Sequence, residues 1–424
     1  MTNGHEFEQA APILAILHEA GYEAYFVGGA VRDYLLELPI HDVDIATSAY
    51  PAEVQALFPR HFDVGIEHGT IMVWFEGETY EITTFRTEST YQDFRRPDKV
   101  TFVQNLEEDL LRRDFTINAL AMTDQMTIVD YFEGKADLKA EIIRAVGVAH
   151  DRFHEDGLRM MRGVRFASQL DFDIEAHTLQ AIEENAAILA HIAVERITVE
   201  MNKLWIGKNW QKGLAYFLKS GLYLHVPGLS EYATSLQLLL TEIDGEQAFD
   251  NAEFAWSLMF WCHFVQSGET DPKNMQKAIR QLGKAWKMSN QAADDITAYF
   301  DIWYLRSSKG EWDLVDYYGK NPEKLLAIEA YMQKQVALGK QLFADLAYPA
   351  DPQKVQSEID RLPIHSLKEL AINGRVIIAQ INPDNKREIG LMLSFLETAV
   401  LELKVANEEA ALLTYLREHY QAKE

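Results

Sequence analysis

The 424-residue chain contains a single cysteine, Cys262, so neither an internal disulfide nor a cysteine-built zinc cage is available to it. That scarcity fits a reducing compartment, and the cytoplasm is the expected location. An apolar run of membrane-spanning length is missing too. The longest, Phe254 to Val265, contains Ser257 and His263 and falls short of the roughly 20 residues that a spanning helix needs. Glu6 and Glu8 stand where an export signal carries Lys or Arg, so neither export nor membrane anchoring is expected.

Positive charge is also in short supply. Against 65 Asp and Glu there are 40 Lys and Arg, a formal net charge of −25, and no segment escapes the imbalance. Residues 1–60 carry 2 basic and 9 acidic side chains, 61–170 carry 13 and 20, and 171–424 carry 25 and 36. A mean field of this sign repels phosphates. A general polyanion binder is excluded, and any RNA partner must be met by a local stripe of Arg and Lys, with modest and salt-sensitive affinity. There is no repeat of fixed period, no low-complexity tract and no charge block.

What remains is ordinary globular composition, with 48% hydrophobic, 25% charged and 11% aromatic residues, and a length that corresponds to roughly three domains. Pro12 suits a first helical turn, Ile13, Ile16, Leu17 and Ala20 make an apolar face, and Gly21 offers a left-handed stop. Ala24 to Val27 reads as a strand running into Gly28-Gly29, Val31 to Leu36 as a short helix, and Val43 and Ile45 as a second strand. Residues 70–75 and 79–85 flank Glu76-Gly77-Glu78 as a hairpin. From about residue 151 helical periodicity takes over to the C-terminus, broken at Pro227, Pro272, Pro349, Pro352, Pro363 and Pro383.

Four constellations carry chemistry. In Gly28-Gly29-Ala30-Val31-Arg32-Asp33 two glycines between a strand and a helix let backbone amides approach a phosphate without a Cβ in the way, with Arg32 one turn on; alone, the same residues make a tight turn. In His41-Asp42-Val43-Asp44-Ile45 the strand period of 2 sends Asp42 and Asp44 to one face. Two such carboxylates are costly together unless a cation joins them, and they suit one or two Mg²⁺ ions bridging a triphosphate. No set of partner His and Asp residues completes a metal-phosphohydrolase site. Glu81, on the strand after the hairpin turn, offers a third carboxylate that could accept a hydroxyl proton or support a metal. Thr87 to Val100, with Arg95-Arg96-Pro97, reads as a mobile loop, and Arg113 in Leu111-Arg112-Arg113-Asp114-Phe115 is placed to clamp a triphosphate.

The fourth constellation is Glu155-Asp156-Gly157-Leu158-Arg159-Met160-Met161-Arg162-Gly163-Val164-Arg165-Phe166. On a helix, steps of three place Asp156, Arg159 and Arg162 on one polar stripe and leave Arg165 nearly opposite Asp156. The plain reading is a salt-bridged solvated face. The chemical reading is more specific. A carboxylate accepts from an exocyclic amine while a guanidinium donates to an unprotonated ring nitrogen, and cytosine and adenine both present that pair. Uracil and guanine present a carbonyl and an N–H instead, leaving buried charged groups unmatched.

Taken in order, Val27 to Asp33, Asp42-Val43-Asp44, Arg112 to Ala119, Glu155-Asp156-x-x-Arg159 and Glu195-Arg196-Ile197 resemble the bacterial class II tRNA nucleotidyltransferases, of the polymerase-beta-like superfamily. The detailed match covers residues 22–205. The resemblance implies an α+β protein: an N-terminal polymerase-beta-like α/β head (1–150) followed by an all-α neck (151–212), body (213–310) and tRNA-binding tail (311–424). It implies Mg²⁺ on Asp42 and Asp44, a nucleotide held by Gly29, Arg32 and Arg113, and CTP or ATP bound and selected by Asp156, Arg159, Arg162 and Arg165. Glu195-Arg196 would support the neck. The implied activity is addition of CCA to the 3′ end of tRNA; a poly(A) polymerase or a partial CC- or A-adding enzyme shares the motifs, and a non-catalytic RNA-binding module is the reading of another class. The loop at 87–100 looks like the segment that complete CCA-adding members keep. Oligomeric state stays open, with a homodimer among the options, and Gly157 and Gly163 weaken a rigid template helix by their low helix propensity.

Overall fold

The computed structural model describes residues 4–88, 91–92, 96–97, 100–243, 248–309, 312–343, 351–383 and 385–420. The chain divides into two compact units. One takes in residues 1–240, 245–252 and 282–288, the other residues 241–244, 253–281 and 289–424.

The first unit is built on a seven-stranded mixed sheet. Its strands are β1 (Ala24–Val27), β2 (Asp44–Thr47), β3 (His61–Gly65), β4 (Thr70–Phe75) and β5 (Glu78–Thr84), with two more after residue 119. Between these groups lie β6 (Arg86–Glu88), β7 (Tyr91–Gln92), β8 (Arg96–Pro97) and β9 (Val100–Phe102), followed by β10 (Leu120–Met122) and β11 (Ile128–Asp130). The sheet order is β11-β10-β1-β2-β5-β4-β3; every neighbouring pair is antiparallel except β2 with β5. Alternation explains the pattern: along β4, Ile71 and Val73 are fully buried while Trp74 is exposed. One face packs on α1 (His5–Glu19) and α3 (Pro51–Leu57), and α2 (Gly29–Leu35) follows β1.

Two local expectations are corrected. Helix α1 starts at His5, so Pro12 lies inside it on the exposed side and not in its first turn. Burial of Phe7 and Ala10 with Ile13, Leu14 and Leu17 extends the apolar face backward and offsets a proline penalty of about 3 kcal/mol. The aperiodic segment after β5 contains two short antiparallel ladders, β6 with β9 and β7 with β8, too short for alternation to register. Of the loop expected at 87–100, residues 89–90, 93–95 and 98–99, Arg95 among them, lie outside the described residues.

Helix α4 (Leu106–Leu111) lies between β9 and β10, and beyond β11 the first unit turns helical: α5 (Gly134–Ala140), α6 (Ala149–Glu155), α7 (Leu158–Leu170), α8 (Ala176–Asn185) and α9 (Val194–Trp205). The expected all-α stretch carries one strand, Asp173–Ile174, which pairs in parallel with Ile142–Ile143 and so stitches α7 to the end of the sheet domain. Helix α7 packs on α9 and on the helix Trp210–Lys219 at very short range: a Cβ on Gly213 would stand 2.6 Å from Ser168 Cβ.

The second unit is helical. Its helix Ala252–Ser267, apolar nearly all round, is buried, as such a sequence must be in water. Trp261, Trp303 and Phe343 stack there, Phe254 and Tyr331 pack edge-on, and the Arg306–Glu329 ion pair is fully enclosed. Among the described residues no helix is long and apolar enough to cross a membrane.

Candidate active site

Strand β1 ends at Val27, and Gly28 then takes φ 76° and ψ −136°, a conformation that a side chain opposes. A Cβ there would stand 2.8 Å from Arg113 Nη1 and 3.9 Å from Asp44 Oδ2. Gly29, the residue picked out by motif, begins α2, where a Cβ would meet only Arg32 Nη2 at 3.6 Å. Gly28 is therefore the position that lets a guanidinium and a carboxylate close over the backbone.

Asp44 opens β2, paired in register with Val27 on one side and Glu81 on the other. Its carboxyl is pushed up to about 6: desolvation raises it, Arg113 pulls it down, and Glu81 and Asp42 raise it further. Asp42 precedes the strand in irregular backbone and is exposed, as is Glu81, which the register sets beside Asp44; the charges of both act on Asp44. Among the described residues no group of three or more His, Cys, Asp or Glu gathers tightly enough to cage a metal ion.

The arginines come from the end of α4. Asn105 caps this helix by accepting from the Glu107 amide, and the helix runs out at Arg112-Arg113. Asp109, buried one turn earlier, accepts from Arg112 Nε at 2.9 Å and from Arg113 Nη2 at 3.4 Å. Burial works against the Asp109 carboxylate, but the two guanidiniums hold it below its usual range. Arg113 Nε is buried with no hydrogen-bond partner among the described residues, and desolvation outweighs Asp109 and Asp44 to lower its pKa.

A polar chain leads from the glycine turn to α7. Arg32 donates to Asp33 and, at 2.6 Å, to Asn118 Oδ1; Asn118 donates to Asp114 at 3.0 Å; Asp114 accepts from Arg162 Nε at 2.6 Å. Asp114 is buried, yet Arg162, Asn118 and the Phe115 amide overcome the desolvation and bring it down to about 2. Phe166 lies beneath three guanidiniums, those of Arg32, Arg162 and Arg165, at 5.1, 5.4 and 3.7 Å from its ring centre.

The stripe inferred from helical spacing is interrupted at its first member. Asp156 is the extended residue between α6 and α7, and its Oδ1 accepts from the Leu158 amide at 3.0 Å. Its other partner is Arg196, on α9, whose Nη2 reaches Oδ2 at 2.8 Å. Arg159 is largely buried, donating to Glu155 Oε2 and to the Arg112 and Arg152 carbonyls at 2.8, 2.8 and 3.3 Å. Neither glycine loosens the template. Gly157 sits before the helix, where a Cβ would press on Ile188, and Gly163 leaves room for the Phe115 ring, 3.2 Å from a Cβ built there.

A cavity of about 370 Å³ joins these parts. Its lining includes Gly28, Gly29, Arg32, Asp44 and Arg113 at the sheet end, and Asp156, Arg159, Arg162 and Arg196 at the helix end. Arg165 lies outside the lining: its Nε pairs with Glu200 at 2.5 Å, both side chains being buried. Asp42 and Glu81 are also absent from the lining. Asp109 is the contributor absent from the motifs, and Asn118 and Phe166 stand within them without an assigned polar role. The spacing of Asp109 to Arg112 and Arg113 by three and four residues is the signal that could have found it.

A carboxylate at a strand end, a glycine turn and paired arginines on a mixed sheet define a polymerase-type nucleotidyltransferase head. Residues 24–144 match the sequence model of the poly A polymerase head domain, residues 171–232 that of an RNA- and SrmB-binding site of polymerase A, and residues 248–416 that of tRNA nucleotidyltransferase domain 2. The chain is 44% identical over 419 residues to a CCA-adding enzyme of Enterococcus faecalis, covering 97% of this chain and 96% of that one. It is 46% identical to one of Limosilactobacillus fermentum, covering 96% of each. The crystal structure of the Bacillus stearothermophilus CCA-adding enzyme in complex with CTP superposes with a TM-score of 0.82 at 38% identity, covering 97% of each chain. The chain belongs to the CCA-adding enzymes.

Proposed function

We propose that this protein builds and repairs the 3′-terminal CCA of tRNA from CTP and ATP without a nucleic-acid template. The observation that carries the reading is that Asp44 and the Asp156/Arg159 edge line one cavity, so a single nucleoside triphosphate can meet both. Family membership supports the reaction, and the geometry supports the division of labour. Residues 1–150 serve as head, 151–212 as neck, 213–310 as body and 311–424 as the tRNA-binding tail.

Arg32 and Arg113 hold the triphosphate at the Gly28-Gly29 turn, and Asp156 with Arg159 reads the base. Asp156 is held by Arg196 and Arg159 by Glu155 and two carbonyls before any nucleotide arrives. The reading edge is pre-ordered, which lowers the cost of selection. The tRNA 3′-hydroxyl attacks the α-phosphorus; the new P–O bond forms as the bond to pyrophosphate breaks, and the hydroxyl proton leaves toward the acidic group formed by Asp44 and Glu81.

The residues present fit Mg²⁺. Asp44 and Asp42 supply hard oxygen donors, and desolvation, with smaller contributions from Glu81 and Asp42, makes the charged form of Asp44 costly in a way that a bound cation would relieve. With no three-residue cage among the described residues, the remaining ligands fall to the triphosphate, a common arrangement for this ion. When bound at Asp42 and Asp44, Mg²⁺ supplies Lewis acidity that acidifies the hydroxyl and neutralises the leaving group.

The test is a tRNA lacking its CCA, offered all four nucleotides and resolved at single-nucleotide length. Addition of C, C and A and then arrest is expected. Incorporation of UTP or GTP as efficiently as CTP sinks the side-chain template, and full activity of Asp44→Ala sinks the carboxylate site.

A further inference from the structure

Paired residues on neighbouring strands share a face, so the register places Phe62, Met72, Glu81 and Asp44 in one row across β3, β4, β5 and β2. Trp74, opposite Thr79, lies on the same face two residues along β4. On the other face Ile71, Val73 and Ile82 are buried and α3 packs on β4 and β5. On the Asp44 face, Ala46 and Phe85 are covered by Leu106 and Leu110, but this cover does not extend to the outer strands. There Phe62 is 55% and Trp74 41% exposed, with Met72 half-buried between them. Neither Phe62 nor Trp74 has an aromatic neighbour among the described residues.

We propose that this face is a stacking platform for the unpaired 3′ end of the RNA acceptor. The proposal rests on the nucleotidyl-transfer reading above and adds the site for the second substrate. The occupant follows from continuity with the reaction centre. The incoming nucleotide fills the cavity on the Gly28 side of Asp44, so the hydroxyl that attacks it arrives from the opposite side. Away from β1, the row runs Asp44, Glu81, Met72, Phe62. At 4.7–4.9 Å per strand, Met72 lies about 10 Å and Phe62 about 14 Å from Asp44 along the sheet, a reach of a couple of nucleotides.

The chemistry suits a chain end that changes as it grows. After each addition a different base stands behind the reacting hydroxyl, and an aromatic surface accepts any base because every base has a π-face. The hydroxyls of Thr70, Thr79 and Thr83 border the platform, and exposed Arg60, whose carbonyl accepts from the Trp74 amide, stands opposite Trp74 at its outer edge. The stacking itself is insensitive to salt, whereas a phosphate contact made by Arg60 would weaken as salt rises.

The test compares the wild type with Phe62→Ala, Trp74→Ala, the double variant and Trp74→Tyr, using tRNA lacking its CCA and saturating CTP. The expected result is a rise in the KM for RNA of about 5- to 100-fold in the double variant. The kcat and the KM for CTP stay within about twofold, and Trp74→Tyr retains most of the RNA affinity. An RNA carrying 2-aminopurine at its 3′ end is expected to be quenched by the wild type and much less by the double variant. Unchanged RNA KM and quenching in a double variant that melts like the wild type overturn the platform while leaving the proposed function standing. A wild type that transfers no nucleotide overturns both. A dimer in sedimentation that the double variant dissociates, with RNA KM unchanged, assigns the face to a second copy of the chain and overturns the RNA reading.

Discussion

The guanidinium of Arg113 lies over the α-carbon of Gly28, so close that a methyl group on that carbon would come within 2.8 Å of Nη1. This contact places Arg113, the proposed triphosphate clamp, beside Asp44. It exists because Gly28 has no side chain and because its φ of 76° is one that glycine tolerates.

Gly28→Ala and Gly29→Ala should therefore differ sharply. At Gly28 the substitution adds backbone strain of about 1–3 kcal/mol and displaces Arg113, so the KM for CTP and ATP should rise at least tenfold with a loss of kcat. At Gly29 the new Cβ meets Arg32 at an ordinary 3.6 Å, and the effect should be small. Steady-state kinetics on both variants, with melting curves to confirm the fold, decide the matter.

A second expectation concerns acid stability. Asp114 sits at about 2 against a usual value of 3.8, because Arg162, Asn118 and the Phe115 amide outweigh its burial. A folded-state pKa below the unfolded one stabilises the fold fully above the unfolded value, and the contribution drains away as pH falls toward the folded one. The gap corresponds to about 2 kcal/mol. Asp114→Asn should lose roughly that much at pH 7, and its deficit in urea denaturation should shrink as pH drops below 4 toward 2. A deficit that is constant with pH would assign the role of Asp114 to shape alone.

Much of the sheet was legible because alternation marks strands: Ala24–Val27 and Thr70–Phe75 stand where the pattern put them, and Gly21 has the left-handed φ of 88°. Of the site residues read from the motifs, Gly29, Arg32, Asp44, Arg113, Asp156, Arg159 and Arg162 line one cavity, whereas Asp42, Glu81 and Arg165 stand outside its lining. What spacing could not reveal was long-range partnership. Arg165 meets Glu200 across 35 positions and Asp156 meets Arg196 across 40, and no local rule joins such pairs. Spacing also presumed one unbroken helix through Asp156, whereas the chain is extended there and α7 begins only at Leu158.

The glycines show the same limit. Helix propensity ranks glycine as a defect, but Gly213 is what allows its helix to touch α7: a Cβ would lie 2.6 Å from Ser168 Cβ and 2.8 Å from the Val164 carbonyl oxygen. Gly213→Ala gains up to about 1 kcal/mol of propensity and loses more to overpacking, which costs about 1–3 kcal/mol and more where backbone is struck. A net destabilisation is expected in chemical denaturation. A stabilised variant would show that the two helices are free to separate.

Arg159 and Arg165 stand two turns apart on α7 and should answer mutation in opposite ways. Arg159 lines the cavity with its guanidinium held by Glu155 and two carbonyls; Arg165 lies outside it, buried against Glu200 and over Phe166. Removing Arg159 deletes the donor proposed to face the ring nitrogen of cytosine or adenine, so Arg159→Ala should lower the preference for CTP over UTP by about 10²-fold or more while the fold persists. Arg165→Ala leaves Glu200 buried without its partner, a loss of about 3–5 kcal/mol that appears in melting. Its base preference should stay close to wild type, because the residue stands outside the lining, behind the Phe166 ring. Competition between the four nucleotides on one tRNA, scored together with the melting midpoint, separates the two roles. If Arg165→Ala changed base choice as strongly as Arg159→Ala, the reading edge would have to extend beneath Phe166, and the boundary drawn between the selecting and supporting arginines would be wrong.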